Sequence, residues 1–371
     1  MPKAQETILE IHLDALTHNY NYLKSKLNPN TKFLAVVKAF AYGSDSVEIA
    51  KHLETLNADY FAVAYAREGV ALRDAGITIP ILVLHPQVVN FKTIIERCLE
   101  PSIYSPKILR EFIKIAEEQK QSDYPVHIKF NTGLNRLGFW HNDVDYIANQ
   151  LKNTSSIVVK SLFSHLAASE DENEREFTLR QITDFKTIAA DFESQMDYSP
   201  WLHLCNTSGV INYPEAHFDM IRCGIGLYGF GNSATEDQNL KPIAKLKSII
   251  SQIHLIEKEE TVGYNRAYTS KGFEKTATIP IGHADGISRQ FGNEKGFVFI
   301  NGQSAPIIGN VCMDMIMVNI TNIDCKEGDE VIIFDENHKA SAIAESTKTI
   351  SYEVLTAISQ RVKRLFFKQV L

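Results

Sequence analysis

The chain has 371 residues, 44% of them hydrophobic and 22% charged, with a formal net charge of -7. This composition excludes a disordered chain and is large enough for two domains with real cores, while the acidic balance argues against a nucleic-acid or anionic-membrane partner, which needs clustered basic charge. Five cysteines (Cys98, Cys205, Cys223, Cys312, Cys325) stand apart with no Cys-x-x-Cys pair, no apolar run approaches a membrane span, and the opening residues lack a signal-peptide core. A soluble, cytoplasmic protein with reduced thiols and no metal site is therefore expected.

In chain order, Thr7 to Leu13 alternates as a strand does, and Ala15 to Leu27 reads as a helix capped by Asp14. Short apolar runs then recur at Phe33 to Ala39, Tyr60 to Ala64, Ile81 to Leu84, Pro101 to Tyr104, Val126 to Phe130, Val158 to Ser164, Trp201 to Cys205 and Met220 to Cys223. Most are separated by segments of helical periodicity, which is the rhythm of an α/β fold, a TIM-like (β/α)8 barrel. The acidic stretch Ala167 to Glu176 reads as a solvated helix start, with Ser169 and Glu172 spaced as a capping box before a helix over Phe177 to Ser194. The polar loop Asn232 to Asn239 marks a boundary, so the domains are expected at 1–236 and 237–371. Beyond it, runs at Ala244 to Ile256, Thr276 to Ile281, Phe297 to Ile300, Ala305 to Ile308, Met315 to Ile320 and Glu330 to Phe334 predict a mostly β C-terminal domain, closed by a helical tail over Tyr352 to Phe367. The strand at the N-terminus is expected to pack with that second domain.

In a parallel barrel, polar residues at the C-terminal ends of the strands face the site. Here they are Lys38 with Tyr42 beyond it, Lys129 leading to Arg136, His165, Asn206-Thr207-Ser208, and Arg222. Each alone has a plain structural reading: Lys38 as a snorkelling lysine, His165 as a hydrogen-bonded core histidine, the arginines as halves of ion pairs. Together, several fixed cations at one barrel mouth call for an anion among them. A lysine ending an apolar strand is also a Schiff-base candidate, and the glycine-rich CGIGLYGFG, Cys223 to Gly231, suits close backbone approach to a phosphate. Lysine, cations and phosphate turn point to pyridoxal phosphate. In the second domain, Tyr264 is compatible with an ordinary turn tyrosine, and Cys312 and Met313 with core.

Six ordered motifs carry a resemblance to the alanine racemase family: AVVKA-x-AYG at Ala35 to Gly43, NTGLNRLG at Asn131 to Gly138, IRCGIGLYG at Ile221 to Gly229, IPIG-x-ADG at Ile279 to Gly286, GNVCMD at Gly309 to Asp314 and ISYEVLTAIS-x-RV at Ile350 to Val362. The resemblance covers essentially the whole chain. It implies a pyridoxal-phosphate enzyme racemising alanine, supplying D-alanine for cell-wall peptidoglycan, as a homodimer with shared active sites. Lys38 then matches the cofactor-holding lysine and base on one face, and Tyr264, from the partner subunit, the base on the other. Arg222 matches the arginine on the pyridine nitrogen, and His165 the histidine between Arg222 and the catalytic tyrosine. Tyr42, Thr207, Tyr352 and the backbone of Gly224 and Ile225 match phosphate contacts. Arg136 and Met313 match substrate-carboxylate contacts, with Lys129 matching a lysine that in some members carries a carbamate. Cys312 and Asp314 flank Met313 as supporting positions, and His283 stands where the family usually has an entrance-corridor tyrosine.

The chain departs from the family pattern at Phe40, Ser44, Asp45 and Asn131 as well as His283. The last opens a broader-specificity amino-acid racemase, acting on serine or larger side chains, as an alternative. A pyridoxal-phosphate decarboxylase is disfavoured by Arg222, and a non-catalytic cofactor-binding protein by the second domain with Tyr264 and Met313. A metal-dependent aldolase on this barrel would need ligands that His338 alone does not provide.

Overall fold

The computed structural model describes residues 4–368. Its first strand, β1 (Ile8–His12), is followed by a helix over Leu13–Lys24 and then by eight parallel strands: β2 (Lys32–Val36), β3 (Tyr60–Val63), β4 (Ile81–Val83), β5 (Glu100–Ile103), β6 (Tyr124–Lys129), β7 (Ile157–Phe163), β8 (Trp201–His203) and β9 (Met220–Cys223). They close into a barrel, β9 pairing with β2. Strands buried on both faces read as near-continuous apolar runs, which is why all eight were legible; Phe33, Phe61 and Ile81 have no exposed surface. Helices such as Pro106–Glu118 return between strands, this one opened by Ser105, whose hydroxyl accepts from Ile108 N at 3.3 Å.

The remaining strands are β10 (Ala244–Ile249), β11 (Gln252–Ile256), β12 (Thr261–Val262), β13 (Tyr268–Thr269), β14 (Glu274–Ile279), β15 (Phe297–Ile300), β16 (Gln303–Ile308), β17 (Ile316–Asn319), β18 (Glu330–Phe334) and β19 (Lys363–Phe367). Nine strands form one sheet in the order β11-β14-β17-β16-β15-β18-β10-β1-β19, while β12 and β13 pair as a separate hairpin. The chain divides into two compact units, residues 17–41 with 46–240, and residues 4–16, 42–45 and 241–368. The outer limits of the domain ranges 1–236 and 237–371 lie outside the described residues.

Four local expectations are corrected. The C-terminal tail is helical only over Ser351–Ala357; the rest is β19, paired in parallel with β1 from Ile8↔Lys363 to His12↔Phe367. Arg364 donates to the carbonyls of Ile358, Ser359 and Val362, so the chain turns out of the helix there. The run Ala244 to Ile256 is two strands, because Ile250 N bonds Asp329 O and Ser251 N bonds Thr278 O, handing the chain from one partner to another. The helix read from Ala15 already starts at Leu13, so Asp14 lies in its first turn, a place suited to a carboxylate by the helix dipole. Ser169 makes no capping box: its hydroxyl donates to Asn206 Oδ1 at 2.8 Å, and Asp171 caps the short turn Glu172–Glu174.

Candidate active site

The barrel unit holds a cluster of cations at the ends of its strands. Lys38 follows β2, where the backbone of Ala39, Phe40, Ala41 and Tyr42 runs through four consecutive left-handed conformations, with φ between 50° and 56°. Such a turn is strained for residues with a Cβ and persists only if its surroundings impose it. Glu68 does so: Oε1 accepts from Ala39 N at 2.7 Å, and Oε2 accepts from Ala64 N and Tyr65 N. Burial and the neighbouring Arg136 lower the pKa of Lys38, with Glu68 opposing.

Lys129 ends β6 and is buried. Desolvation first, then the charges of Arg136, Arg222 and Lys38, bring its amine down to about 8. The same four cations act on His165, whose pKa falls well below its ordinary 6.5, burial again being the largest cause. Arg136 itself is exposed, on a loop organised by Asn131, whose Oδ1 accepts from Gly133 N and Asn135 N. Asparagine supplies the acceptor that this turn needs, so the departure at Asn131 is structurally neutral.

Arg222, on β9, is buried and pairs with no carboxylate among the described residues. Its Nη1 donates to His203 Nδ1 at 2.8 Å and His203 O, and its Nη2 to Ser164 O at 2.6 Å, His165 Nδ1 at 3.2 Å and Leu204 O. Burial pulls the guanidinium down, to about 10, which leaves it protonated at neutral pH. Because a guanidinium only donates, His165 must accept at Nδ1 and carry its proton on Nε2. Thr207 is buried and opens a short helix; its Oγ1 accepts from Gly226 N at 3.2 Å, tying that helix to the glycine turn. Ile225 begins the turn Ile225–Tyr228, and its N–H has no intramolecular partner among the described residues, as is usual for the first residue of a helical turn.

The second unit brings together a different set. Tyr42 and Tyr352 place their rings 6.0 Å apart. Between them Gly43 has φ 85°, and a Cβ there would lie 2.3 Å from Leu355 O, so the turn after Tyr42 requires glycine. Tyr264, 75% exposed, and Met313, 59% exposed, line one recess of about 730 Å³ together with Cys312, Asp314 and Met315. The Cys312 and Met313 carbonyls accept from His283 N and Ala284 N, so close that a Cβ on Gly282 would meet them at 2.3–2.5 Å. In a trans peptide the Met313 N–H points opposite to the Cys312 carbonyl, hence away from the 282–284 loop. Arg361 locks this arrangement, donating to Asp285 and Asp314 at 2.6 Å each. His283 does not reach that recess; it is exposed beside another, lined by Ser288, Gln290 and Glu353.

The barrel unit brings Lys38, Lys129, Arg136, His165 and Arg222 near one another, and the second unit brings Tyr264, Cys312, Met313 and Asp314 to one recess, but sequence reasoning misses the residues that hold them. Glu68, His203, Gln181 and Arg361 were not singled out. Gln181, inside a helix, donates to His165 O and accepts from Ala167 N, fixing the loop after β7. His203 had a signal, a polar residue inside an apolar run; Arg361 had only its place in the Ile350 to Val362 motif, and Glu68 none beyond ordinary helix charge. Among the described residues no group of three or more His, Cys, Asp or Glu is placed to hold a metal ion, and no helix is long and apolar enough to cross a membrane.

Comparison with known proteins gives two family matches that together span nearly all of the chain: alanine racemase, N-terminal domain, over residues 11–231, and alanine racemase, C-terminal domain, over residues 243–366. "Alanine racemase 2" of Oceanobacillus iheyensis is 34% identical, covering 98% of this chain and 94% of the relative. The structure of an alanine racemase of Clostridium difficile 630 superposes with a TM-score of 0.92 at 35% identity, covering 99% of this chain and 97% of that one. An alanine racemase from Bartonella henselae, solved with covalently bound pyridoxal phosphate, has a TM-score of 0.88 at 26% identity, covering 98% of this chain and all of that one, 100%. The closed barrel, the β domain and these matches agree, and the chain belongs to the alanine racemase family.

Proposed function

We propose that the protein interconverts L- and D-alanine with pyridoxal 5'-phosphate, using Lys38 and Tyr264 as bases on opposite faces of the α-carbon and supplying D-alanine for cell-wall peptidoglycan. The observation that carries this reading is the barrel mouth, where every charge acting on Lys129 and His165 is cationic. Such a cluster is stable when an anion joins it, and a phosphorylated cofactor with a carboxylate substrate brings two. The donors of the barrel unit suit that group: a lysine of lowered pKa for covalent attachment, a guanidinium for the ring nitrogen, and Thr207, Gly224 and Ile225 for the phosphate; Tyr42 and Tyr352 match further phosphate contacts of the family. Pyridoxal phosphate, when bound, supplies an electron-withdrawing ring that stabilises negative charge at the substrate α-carbon.

The chain's own residues do the rest. Arg222 cannot give up its proton, so it donates to the ring nitrogen without protonating it. His165, accepting from Arg222 at Nδ1, is left with Nε2–H as a donor, suited to stabilise the oxygen of a catalytic tyrosine. Lys38, its charge disfavoured by burial and Arg136, takes or returns the α-proton on one face. Tyr264 of the partner subunit does so on the other, and the outward N–H of the partner's Met313 holds the substrate carboxylate with Arg136. The exposure of Tyr264, Met313 and Met315 on one recess supports a second copy of the chain as the covering surface. Lys129, whose amine burial and the neighbouring cations bring down to about 8, is about one-tenth free base at pH 7, far more than an ordinary lysine, which suits capture of carbon dioxide as a carbamate with loss of a proton.

The direct test is exchange of the α-hydrogen of L-alanine in deuterated water, with D-enantiomer formation followed by chiral chromatography. Rapid deuterated D-alanine is expected. Exchange with no D-product would mean that one face works without the other and would overturn the two-base reading.

A further inference from the structure

Behind Arg222 the barrel interior carries a continuous run of buried polar groups that the proposed chemistry does not use. His203 Nδ1 meets Arg222 Nη1 at 2.8 Å; His203 Nε2 meets Ser161 Oγ at 2.7 Å; Ser161 Oγ meets His127 Nδ1 at 2.6 Å; His127 Nε2 meets Glu100 Oε2 at 2.7 Å. Tyr60 donates its hydroxyl to the same Oε2 at 3.1 Å. His127, Ser161 and His203 have no exposed surface, and Glu100 and Tyr60 are buried.

The direction of every bond in this run is decided by its first member. Arg222 has no lone pair, so His203 accepts at Nδ1, is neutral, and bears its proton on Nε2. That proton goes to Ser161 Oγ. The Ser161 hydroxyl has no other acceptor among the described residues, so it donates to His127 Nδ1, and His127 in turn donates from Nε2 to Glu100. Four hydrogen bonds thus point one way, from a buried cation with no adjacent carboxylate to a buried carboxylate. Burial and Arg222 depress the pKa of His203 and burial and Glu100 raise that of Tyr60, consistent with a neutral ring and a protonated phenol at these places. Aligned bonds polarise one another, and in a low-dielectric interior an anion at one end strengthens each acceptor along the run.

We infer that Glu100 is the remote counter-charge of Arg222, acting through His127, Ser161 and His203 as a positioning chain that holds the guanidinium in place as a pure donor. The consequence for cofactor chemistry rests on the proposed placement of the pyridine nitrogen against Arg222; the chain of bonds does not. Glu100 keeps the positive charge of Arg222 tolerable inside the barrel while no carboxylate pairs with the guanidinium among the described residues, and Nε–H, which has no partner among them, is the donor left for an incoming acceptor.

The test uses the full-length protein as purified with pyridoxal phosphate, labelled with 15N at the histidine rings, in four forms besides the unsubstituted one: Glu100→Gln, Ser161→Ala, the two combined, and Ser161→Thr. In the unsubstituted protein His127 and His203 are expected as neutral rings protonated at Nε2. Glu100→Gln keeps the shape and removes the charge, and it is expected to shift the His203 ring nitrogens three hydrogen bonds away. It should also lower kcat for alanine about tenfold, the effect of weakening a charge-assisted hydrogen bond at a distance, with cofactor content unchanged. Ser161→Ala should do the same, the double variant should fall no further than the worse single one, and Ser161→Thr should restore both readings. If Glu100→Gln leaves the His203 resonances unmoved, or if the two losses add, the inference is overturned; were Glu100→Gln not to fold, Ser161→Ala and Ser161→Thr decide by the same His203 shift. Lack of racemisation in the unsubstituted protein would instead overturn the proposed function and leave the histidine resonances to decide the chain.

Discussion

The barrel mouth and the recess of the β domain carry the two halves of the proposed chemistry in opposite physical states. At the mouth, Lys129, Thr207 and Arg222 are buried, and Arg222 directs its Nη donors to His203, His165 and three carbonyls. In the recess, Tyr264 and Met313 are exposed, and what is rigid is the backbone beneath them, held by Arg361, Asp285, Asp314 and the close approach of Gly282. One half is preorganised within its own unit; the other is an exposed surface that, on the proposed function, is completed by a second copy of the chain. A lysine needs burial to lower its pKa, and Lys38 obtains this within the barrel unit. Tyr264 lies exposed on the recess it shares with Met313, and an acid/base group works in a site closed to water, which is the physical argument for placing it opposite the barrel of a second copy.

The largest expected effect falls on the prebuilt half. Lys38→Ala should reduce alanine racemisation by about 10^4-fold, the upper end of what an acid/base group supplies, and abolish the absorption band of bound cofactor; retention of that band would refute the assignment. Tyr264→Phe should cost about 10^2- to 10^3-fold with the band intact. Mixing these two inactive variants sharpens the comparison further. A hybrid dimer has one site with both Lys38 and Tyr264 restored, so activity should return on subunit exchange, and no recovery would mean that the site is not shared.

Glu68→Gln tests the frame of the left-handed turn. Replacing one oxygen of a half-buried carboxylate that accepts from three backbone N–H groups should cost about 1–3 kcal/mol of stability, read as a lower unfolding midpoint, and should depress Lys38 further because Glu68 alone opposes the other influences on it. Lys129 gives a pH signature. Its pKa is about 8 in the folded protein against an ordinary 10.5, so between these values the unfolded chain binds more protons, and native stability without cofactor should rise with pH across that window. Lys129→Met should flatten the rise in a thermal melt series. The smallest effect is expected at His283, which lies on a separate recess: His283→Tyr should change the ratio of alanine to serine turnover by less than about tenfold, and a larger change would place it on the substrate's path.

The departures of this chain from its family pattern sort by the same contrast. Asn131 keeps the acceptor on which its loop depends, and Phe40 sits in a turn that Glu68 imposes whatever the side chain. Asp45 has φ 92°, a conformation that aspartate tolerates better than most residues, at the place where the motif usually carries glycine. Nothing in the structure explains the serine at Ser44 beyond its burial.

The sequence by itself determined the barrel, because strands buried on both faces leave continuous apolar runs that need no tertiary context to be seen, and it determined which residues end those strands. Gly43 and Gly282 stand inside the family motifs, but that neither admits a Cβ follows only once backbone is brought to 2.3 Å from it. Tertiary structure alone decided what depends on residues far apart in the chain. Lys363–Phe367 has no strand signal until β1, some 350 positions earlier, offers its free edge. The tail was read as helix for that reason. The relay from Arg222 to Glu100 runs over five strands, and each member reads locally as an isolated polar residue in an apolar run. Hydrogen-bond direction, and with it the protonation of three histidines, follows only once the guanidinium that cannot accept is brought beside them, and that is a property of the closed barrel.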